Sequence, residues 1–470
     1  MKLKNIQITN FRCFDSLSID LDEQLTVIVA KNGQGKSSIL DAIRIGLWSF
    51  VRGFDLAHSA FNDPANSIRI DDVKLLQRAN GEMIRQFPCD ITIQGDYDID
   101  LIGYEKYRKT WIWSRSRQSE RKGSQTKDNI ASKVIKILAN IAQDQIRNTE
   151  IPNTDLPIIG YYGTGRLWSR KRLMENKTAK KDSQNAGFFM RLFAYRDCLD
   201  PASSYKHFAD WFTWVFKSYR EQQIKQLEKG MAFDSESTWK DTIQVVQQAI
   251  DSFLKETTGW HSLEYSASHE NSLILNHDEY GVLKVELLSD GIRSVLAMVG
   301  DIAYRCIKLN PHLGLNAAKE TQGVIMIDEV DMHLHPAWQQ TVLVDLIKAF
   351  PKIQFIVTTH SPQVISTVPS RQIRILDENN VYSAEAGTQG AESSRILKRI
   401  FGVDPRPQNN PTTKLLIKYL DLVYSDKWGE IEAKDMRQEL DAIYQGNEPM
   451  LTEADLYIEN RQWELDIEEN

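Results

Sequence analysis

The spacing of apolar residues along the chain changes from a strand rhythm to a helix rhythm and back again. Residues 3–9 and 17–29 alternate or run apolar, which predicts β-strands. Residues 36–50 then place apolar side chains at helical spacing. From 88 to 113 the pattern is strand-like, with polar breaks such as "GDYD" that predict hairpin turns. The N-terminal part is therefore predicted to be rich in strands and to contain one long helix.

The remainder of the chain predicts a different order of elements. Two helical stretches, at 129–147 and 203–256, are separated by the strand-like "LPIIGYYG". From residue 273 strands and helices alternate, which is typical of an α/β fold. These elements are, in order, strand "LKVELL", helix 290–308, strand "GVIMID", helix 336–349 and strand "FIVTT". After about residue 390 the chain is predicted to be mainly helical.

These patterns divide the chain into four predicted regions. They are an N-terminal lobe, a mainly helical insertion, a C-terminal lobe of the same α/β domain and a helical extension, at 1–115, 116–270, 271–390 and 391–470. The tail from Glu453 to Asn470 is acidic but carries several large apolar residues. Solvated tails seldom carry such residues, so the extension is predicted to dock on a partner.

Composition limits the class of protein without identifying it. Hydrophobic residues make up 41% and charged residues 26%, and the net charge of −7 gives no sign of a generally basic nucleic-acid binder. The four cysteines, Cys13, Cys89, Cys198 and Cys306, lie too far apart to predict a zinc site or a disulfide framework. The sequence shows no apolar run near the roughly 18 residues of a membrane span and no signal peptide, so a cytoplasmic location is expected.

The stretch "TVIVAKNGQGKSSILDAI" predicts a strand, a glycine-rich loop and the start of a helix. It fits the P-loop pattern Gly-x-x-x-x-Gly-Lys-Ser/Thr, except that Ala30 replaces the first glycine. Ala30 is predicted at the end of the strand, where a methyl group can be tolerated, while the tight backbone positions Gly33 and Gly35 remain glycine. Main-chain N–H groups would bind phosphate, Lys36 would reach the β- and γ-phosphates, and Ser37 would bind Mg²⁺.

Three further segments carry chemistry. The strand "GVIMID" ends in Asp328 and Glu329, which can hold Mg²⁺ and act as general base toward the attacking water. The strand "FIVTT" ends at His360, which is predicted beside the same site and could donate a hydrogen bond to the γ-phosphate. The segment "LLSDGIRSVLAMVGDIAYR" opens a helix at Ser289 to Gly291, where the residues fit either a second anion-binding helix end or a simple helix cap.

In the order P-loop, signature helix, Walker B and switch histidine, the four motifs resemble the ATP-binding-cassette class of ATPase heads. The segments "ITNFRCFDSLSIDL" and "DEVDMHLHP" are most similar to the soluble branch with RecF, the SMC proteins and the overcoming-lysogenization-defect (OLD) nucleases. The resemblance implies an α/β fold with a mixed sheet, a helical insertion and a helical C-terminal extension. It also implies that the chain binds ATP and Mg²⁺ and hydrolyses ATP.

By the same resemblance, Arg12 contacts a nucleotide phosphate and Asn32 lines the γ-phosphate pocket. Ser289 and Gly291 would cover the ATP held by a second copy in a head-to-tail homodimer. The predicted nucleotide-binding residues are Arg12, Asn32, Gly33, Gly35, Lys36, Ser37, Ser38, Ser289 and Gly291. The predicted metal ligands are Ser37 and Asp328, and the predicted catalytic residues are Glu329 and His360. The candidates for the Q-loop are Gln77 and the nearby Asp71–Asp72 pair.

A narrower resemblance is carried by "LPIIGYYGTGRLWSRKR", "YRDCLDPASSYKHFADWF" and "SSRILKRIFGVDPRP". These segments resemble the PtuA-type ATPases of bacterial anti-phage systems, namely Septu and the retrons that carry PtuA and PtuB. The resemblance implies an HNH nuclease partner, PtuB, and in a retron also a reverse transcriptase and its multicopy single-stranded DNA. The chain is then expected to be an ATP-dependent regulator of a partner nuclease.

Two other hypotheses stay open from the sequence. A RecF-like repair ATPase would clamp DNA directly, and a scaffold would bind ATP and barely hydrolyse it. Residues 370–470 show no strand-borne Asp-x-Asp of a Toprim nuclease domain, and the sequence shows no His-Asn-His metal finger, so no intrinsic nuclease is expected.

Two segments, 104–122 and 163–172, concentrate Arg and Lys near aromatic residues. Such residues can neutralise phosphates and stack on unpaired bases, which favours nucleic-acid binding. They also fit solvated loop rims whose aromatic side chains turn into the core. Both interpretations remain open at this stage.

Overall fold

The computed structural model describes residues 1–57, 66–97, 109–121, 123–148, 153–167, 190–200, 204–230 and 237–468. The chain forms two compact units, Met1–Ser393 and Ser394–Asn470. The strands are β1 Lys2–Phe11, β2 Phe14–Asp20, β3 Leu25–Ala30, β4 Leu75–Gln77, β5 Met83–Arg85, β6 Cys89–Tyr97, β7 Lys109–Arg117, β8 Lys127–Asp128, β9 Ile158–Tyr162, β10 Trp260–Ser266, β11 Ser272–His277, β12 Gly281–Lys284, β13 Gly323–Ile327, β14 Ile353–Thr358, β15 Ile373–Asp377 and β16 Asn380–Ser383.

The helices differ widely in length, from single turns to helices of more than five turns. They are α1 Lys36–Val51, α2 Ile130–Asn148, α3 Ser204–Glu228, α4 Thr238–Thr258, α5 Asp290–Leu309, α6 Ala317–Glu320, α7 Pro336–Gln339, α8 Val342–Ala349, α9 Pro362–Ile365, α10 Ser393–Ile396, α11 Pro411–Tyr424, α12 Ile431–Tyr444 and α13 Pro449–Glu468.

The larger unit is built around a six-stranded mixed sheet with the order β16-β15-β3-β14-β13-β9. Strand β3 is parallel to both of its neighbours, and β13 is parallel to β14 and β9, while β16 runs antiparallel to β15. Every residue of β3, β13 and β14 is buried, as expected for strands of a sheet that is covered on both faces. Because these three strands end at the same edge of the sheet, the residues that follow them are brought close together.

A five-stranded antiparallel sheet with the order β2-β1-β6-β7-β8 forms the second layer. The fully buried side chain of Gln354, on β14, joins it to the central sheet. Its amide nitrogen donates to the carbonyls of Leu3 and Asp22 at 2.7 Å, and its amide oxygen accepts from the main-chain nitrogen of Leu3 at 2.7 Å. The two layers are therefore held in register by directional hydrogen bonds as well as by apolar contact.

Helices α3 and α4 lie between β9 and β10 in the chain, and α4 and α5 pack on each other. They belong to the stretch 116–270 that the sequence predicts as mainly helical. The same stretch also contains β9, which pairs with β13 as part of the central sheet. The limits of the four predicted regions stay predictions.

The smaller unit is a helical bundle of α11, α12 and α13. Its buried core consists of Leu416, Tyr419, Leu420, Val423, Leu440, Leu451 and Ala454. Helix α11 begins at Asn410, whose side-chain oxygen accepts from the main-chain nitrogens of Thr412 and Thr413 and so caps the helix. This unit matches the helical extension that the resemblance implies.

The α/β class with a mixed sheet, inserted helices and a helical C-terminal extension is confirmed. The P-loop strand β3 lies between parallel strands of the central sheet, and an antiparallel sheet forms the second layer. Across the part of the chain that the structure describes, none of the helices has both the length and the apolar character to cross a membrane.

Candidate functional site

The loop between β3 and α1 has the backbone that the P-loop pattern requires. Gly33 and Gly35 have φ angles of 82° and 97°, in the left-handed region that favours glycine. A Cβ atom at Gly35 would also lie 2.6 Å from both Cys13 Sγ and Phe14 Cζ. Ala30 is the last residue of β3 and pairs with Leu376, so this position needs no glycine. The substitution of the first glycine leaves the loop intact.

Lys36 is the first residue of α1, and its side chain lies along the loop. Its ammonium group donates to the carbonyl of Ala30 at 3.0 Å. Burial lowers the pKa of Lys36, and the negative charges of Asp328, Glu329 and Asp331 act in the opposite direction. The lysine of the P-loop and the carboxylates after β13 therefore converge at one place, although nearly 300 residues separate them in sequence.

Asp328 and Glu329 are held by β9 and β14, the two neighbours of β13. The main-chain nitrogen of Asp328 donates to the carbonyl of Tyr162 at 2.8 Å, and its buried carboxylate accepts from Thr358 Oγ1 at 2.6 Å. The main-chain nitrogen of Glu329 donates to Thr358 Oγ1 at 2.8 Å. Glu329 has a φ of 47°, a conformation that costs a residue with a side chain about 1–2 kcal/mol. Its backbone is fixed in a strained conformation by these contacts.

His360 follows β14 and is half-buried. Burial lowers its pKa, and the charge of Lys36 lowers it further, against the opposing effect of Asp331, Glu329 and Asp328. The imidazole is therefore neutral near pH 7, where one of its nitrogens carries a proton and can donate a hydrogen bond. The structure thus brings together Lys36, Asp328, Glu329 and His360, and we call this group the phosphate edge.

Arg12 lies behind the first turn of α1 and already has anionic partners. Its guanidinium pairs with Asp41 at 2.7 Å and with Asp72 at 3.0 Å, and it contacts Ser38 Oγ at 3.4 Å. Burial acts to lower the pKa of Arg12, but the two carboxylates outweigh it and raise that pKa. The predicted contact of Arg12 with nucleotide phosphate stays a prediction. Sequence reasoning missed both ion pairs, although it singled out Asp72 for another role.

The signature segment is placed by a different set of contacts. Ser289 Oγ accepts from the main-chain nitrogen of Ile292 at 3.5 Å and so caps α5. A Cβ atom at Gly291 would lie 2.7 Å from the carbonyl oxygen of His333, in the segment after Glu329. Glycine is therefore required for α5 to pack this closely on that segment. The predicted contact of Ser289 and Gly291 with a nucleotide of a second copy stays a prediction.

The donors that the loop offers fit Mg²⁺ with a nucleotide. Asn32 and Ser37 are exposed at the loop and at the start of α1, where main-chain N–H groups lack partners within the helix. Among the described residues no group of three or more His, Cys, Asp and Glu side chains could hold a metal alone. Mg²⁺ commonly takes one or two protein oxygens and completes its shell with phosphate and water. Ser37 and Asp328 would supply those protein oxygens.

Two side chains of β7, one aromatic and one basic, turn inward in the described part of the segment 104–122. Trp113 is buried and donates to the carbonyl of Gly46 at 3.0 Å. Arg115 is buried, pairs with Asp128 at 3.0 Å and donates to main-chain carbonyls. Residues 104–108 and 122 lie outside the described residues, as do 168–172 of the second basic segment. For Trp113 and Arg115 the structure favours the interpretation as core.

Comparison with known proteins places the chain among ATPases. An AAA-domain family model matches residues 5–257, more than half of the chain, and a second AAA-domain model matches residues 171–366. Retron Ec83 probable ATPase of Escherichia coli is 28% identical over 100% of this chain and 89% of its own length. Retron Vc95 probable ATPase of Vibrio cholerae is 27% identical over 80% of this chain and 74% of its own length.

Other likenesses are partial or more distant. Septu protein PtuA of Bacillus mycoides is 38% identical over 34% of this chain and 22% of its own length. Among solved structures, an SMC head bound to the C-winged helix domain of ScpA covers 82% of this chain and 98% of that chain, at 15% identity and a TM-score of 0.46.

Proposed function

The chain belongs to the AAA-domain family, and from this premise we propose that it is the ATP-binding and ATP-hydrolysing regulatory subunit of an anti-phage defence complex. The retron and Septu relatives confirm the resemblance to PtuA-type ATPases, so the chain is a defence-associated ATPase. The finer proposal is that it controls a partner HNH nuclease of the PtuB kind. In a retron setting the complex would include a reverse transcriptase and its multicopy single-stranded DNA.

The observation that supports hydrolysis most strongly is the convergence of Lys36 with the carboxylates after β13. In the proposed reaction Lys36 neutralises charge on the β- and γ-phosphates, and Glu329 accepts a proton from the water that attacks the γ-phosphorus. His360 donates a hydrogen bond to the γ-phosphate. Mg²⁺, held by Ser37 and Asp328, would supply further neutralisation of phosphate charge.

The proposed assembly is a head-to-tail homodimer in which Ser289 and Gly291 cover the nucleotide of the second copy. The position of Ser289 and Gly291 at the N-terminus of α5 supports this, because main-chain N–H groups at the start of a helix favour an anion. The bundle of α11, α12 and α13 is proposed as the docking unit for the nuclease. Its exposed Ile431, Leu456 and Trp463 support that role, because large apolar side chains in the open favour a protein contact.

ATP turnover of the wild-type chain, compared with that of Lys36→Ala, tests the enzyme. We expect steady hydrolysis by the wild type and loss of nucleotide affinity by roughly 100-fold or more in the variant, because a charge-assisted contact to phosphate is removed. Binding without turnover in the wild type would indicate the scaffold instead.

Co-expression with an HNH nuclease of the PtuB kind tests the complex. We expect the two proteins to co-purify and nuclease activity to depend on the nucleotide state of this chain. ATP-dependent DNA binding by this chain alone, with steep salt dependence, would contradict the proposal and favour a RecF-like clamp.

A further inference from the structure

A buried polar network joins the end of β9 to the middle of α5, the helix that opens with Ser289 to Gly291. The hydroxyl of Tyr162 donates to Asp301 Oδ2 at 2.8 Å, and the same carboxylate oxygen accepts from Arg305 Nε at 2.7 Å. Tyr162, Asp301 and Arg305 are each at most 1% exposed. One carboxylate therefore fixes a strand of the central sheet to a helix that packs on it.

The network also reaches the segment that precedes α3. The guanidinium of Arg305 donates to the carbonyls of Ala194 and Arg196. Burial acts to lower the pKa of Arg305, but Asp301 outweighs that effect, raises the pKa and keeps the side chain charged. The segment at 194–196 is thus tied to α5 at the same point as β9.

Tyr162 is at the same time a neighbour of Asp328. Its carbonyl accepts the hydrogen bond from the main-chain nitrogen of Asp328 at 2.8 Å, and it pairs with Ile327 in the parallel register of β9 and β13. The main chain of Tyr162 thus positions the proposed Mg²⁺ ligand, while its side chain holds α5. Tyr162 therefore contacts both Asp328 and Asp301 directly.

The network is not the arrangement that would maximise stability. Asp301 Oδ1 and the hydroxyl of Tyr304 are buried and have no hydrogen-bond partner among the described residues. Buried charges and unpaired polar atoms cost stability, and well-packed apolar side chains often replace them without loss. Apolar contacts, however, do not define the position of a helix along its axis as sharply as directional hydrogen bonds do. The network therefore fixes the position of α5 more than it adds to stability.

From this geometry we infer that Tyr162 is a positioning residue that holds α5, and with it Ser289 and Gly291, in register with Asp328. The inference rests on the proposed function, because Ser289 acts on nucleotide only there. Asp301 lies about 16 Å along the helix from Asp290, at 1.5 Å per residue. A displacement at Asp301 is carried to the start of α5 because the helix is rigid and mostly buried.

The test compares Tyr162→Phe with Ser132→Ala. The hydroxyl of Ser132 is buried on α2, outside the network, and donates to the carbonyl of Ser114 at 2.8 Å, so each variant loses one buried hydrogen bond. We expect Tyr162→Phe to lower kcat about tenfold, as loss of a hydrogen bond to a charged acceptor allows, with ATP affinity within about twofold of wild type. Ser132→Ala should leave both within about twofold, although it also lowers thermal stability.

Equal turnover in the two variants, or a loss of ATP affinity in Tyr162→Phe as large as its loss of kcat, would overturn the inference. A wild type that does not hydrolyse ATP would instead contradict the proposed function.

Amide hydrogen exchange of the wild-type chain tests the same inference without a variant. ATP should increase protection of the α5 amides around Asp301, and unchanged exchange there would also overturn the inference.

Discussion

The phosphate edge and strand β7 each contain a buried cation, and the partners of the two cations decide their roles. Lys36 lies near three carboxylates, and it is flanked by the exposed Asn32 of the loop before it and the exposed Ser37 directly after it. All the contacts of Arg115 described above are with fixed acceptors of the protein, namely Asp128 and the carbonyls of Ile45 and Asn66. The first cation can exchange its carbonyl contact for a phosphate, whereas the second is part of the core.

Burial lowers the pKa of both cations, and nearby carboxylates oppose that shift in both. Burial lowers the pKa of Lys36, and three negative charges oppose it. Burial lowers the pKa of Arg115 to about 10, with Asp128 opposing and the nearby Arg52 reinforcing the shift. A buried cation is therefore a candidate for binding an anion when its acceptors border an open loop. It is a structural element when its acceptors enclose it.

The largest effect is expected from Glu329→Gln at the phosphate edge. The amide cannot accept the proton of the attacking water, so we expect turnover to fall roughly 100-fold to 10,000-fold, the range for loss of a general base. Nucleotide affinity should be retained, because Lys36 and the loop are unchanged. Hydrolysis and nucleotide binding measured on the same preparation check this.

The control is Glu320→Gln, which changes an exposed carboxylate just before β13. It should leave hydrolysis at the wild-type rate. If Glu329→Gln also keeps more than a tenth of the wild-type rate, the phosphate edge does not use this residue as its base.

The second prediction concerns the stability of the fold around Arg115. If it is wrong, the contrast between Lys36 as an anion-binding cation and Arg115 as a core cation is wrong. Arg115→Met removes the ion pair with Asp128 and the hydrogen bonds to the carbonyls of Ile45 and Asn66, which should cost about 3 kcal/mol of unfolding free energy. Denaturant unfolding measures it, with the exposed Arg121→Met as the matched control. Binding of single-stranded nucleic acid by the folded variant should equal that of the wild type. A selective loss of that binding at unchanged stability would return β7 to the nucleic-acid interpretation.

Local sequence predicted the phosphate edge better than it predicted the contacts around it. The P-loop and the pair Asp328–Glu329 are contiguous motifs whose strands can be recognised from apolar runs, so their convergence follows from parallel strand order. The hydrogen bond between Tyr162 and Asp301 joins residues 139 positions apart and depends on which face of β9 meets α5. No spacing rule reveals that face in a strand whose residues are all buried.

Arg12 and Arg115 also show that the sequence does not reveal which distant residues a side chain contacts. Their charge and aromatic neighbours are visible in the sequence, and both fitted a role in binding phosphate. Only the fold shows that Asp41 and Asp72 already pair with Arg12 and that Asp128 pairs with Arg115. Ion pairs between distant segments depend on how helices and strands pack in three dimensions. Sequence spacing alone does not predict that packing.

The third prediction tests whether the start of α5, at Ser289 to Gly291, affects ATP turnover. Gly291→Ala introduces a Cβ atom 2.7 Å from the carbonyl oxygen of His333, so α5 or the segment after Glu329 must shift. We expect turnover to fall by about tenfold with nucleotide affinity unchanged, because small displacements of positioning elements affect the chemical step. Gly429→Ala, at a position with open space, is the control. Wild-type turnover in Gly291→Ala would show that α5 contributes nothing to hydrolysis.

The smallest effect is the pH dependence that His360 gives to the nucleotide-free chain. Its pKa is lowered in the folded state, so the unfolded chain binds this proton more readily, and stability falls as pH decreases through and below about 6.5. His360→Gln should reduce the loss of Tm between pH 7.5 and 5.5 by about 1–2 °C. Lys36→Ala should weaken the effect as well, because the charge of Lys36 is the second cause of the shift. An undiminished pH dependence in Lys36→Ala would show that Lys36 and His360 do not interact, and the phosphate edge would then lose one of the contacts that distinguish it from β7.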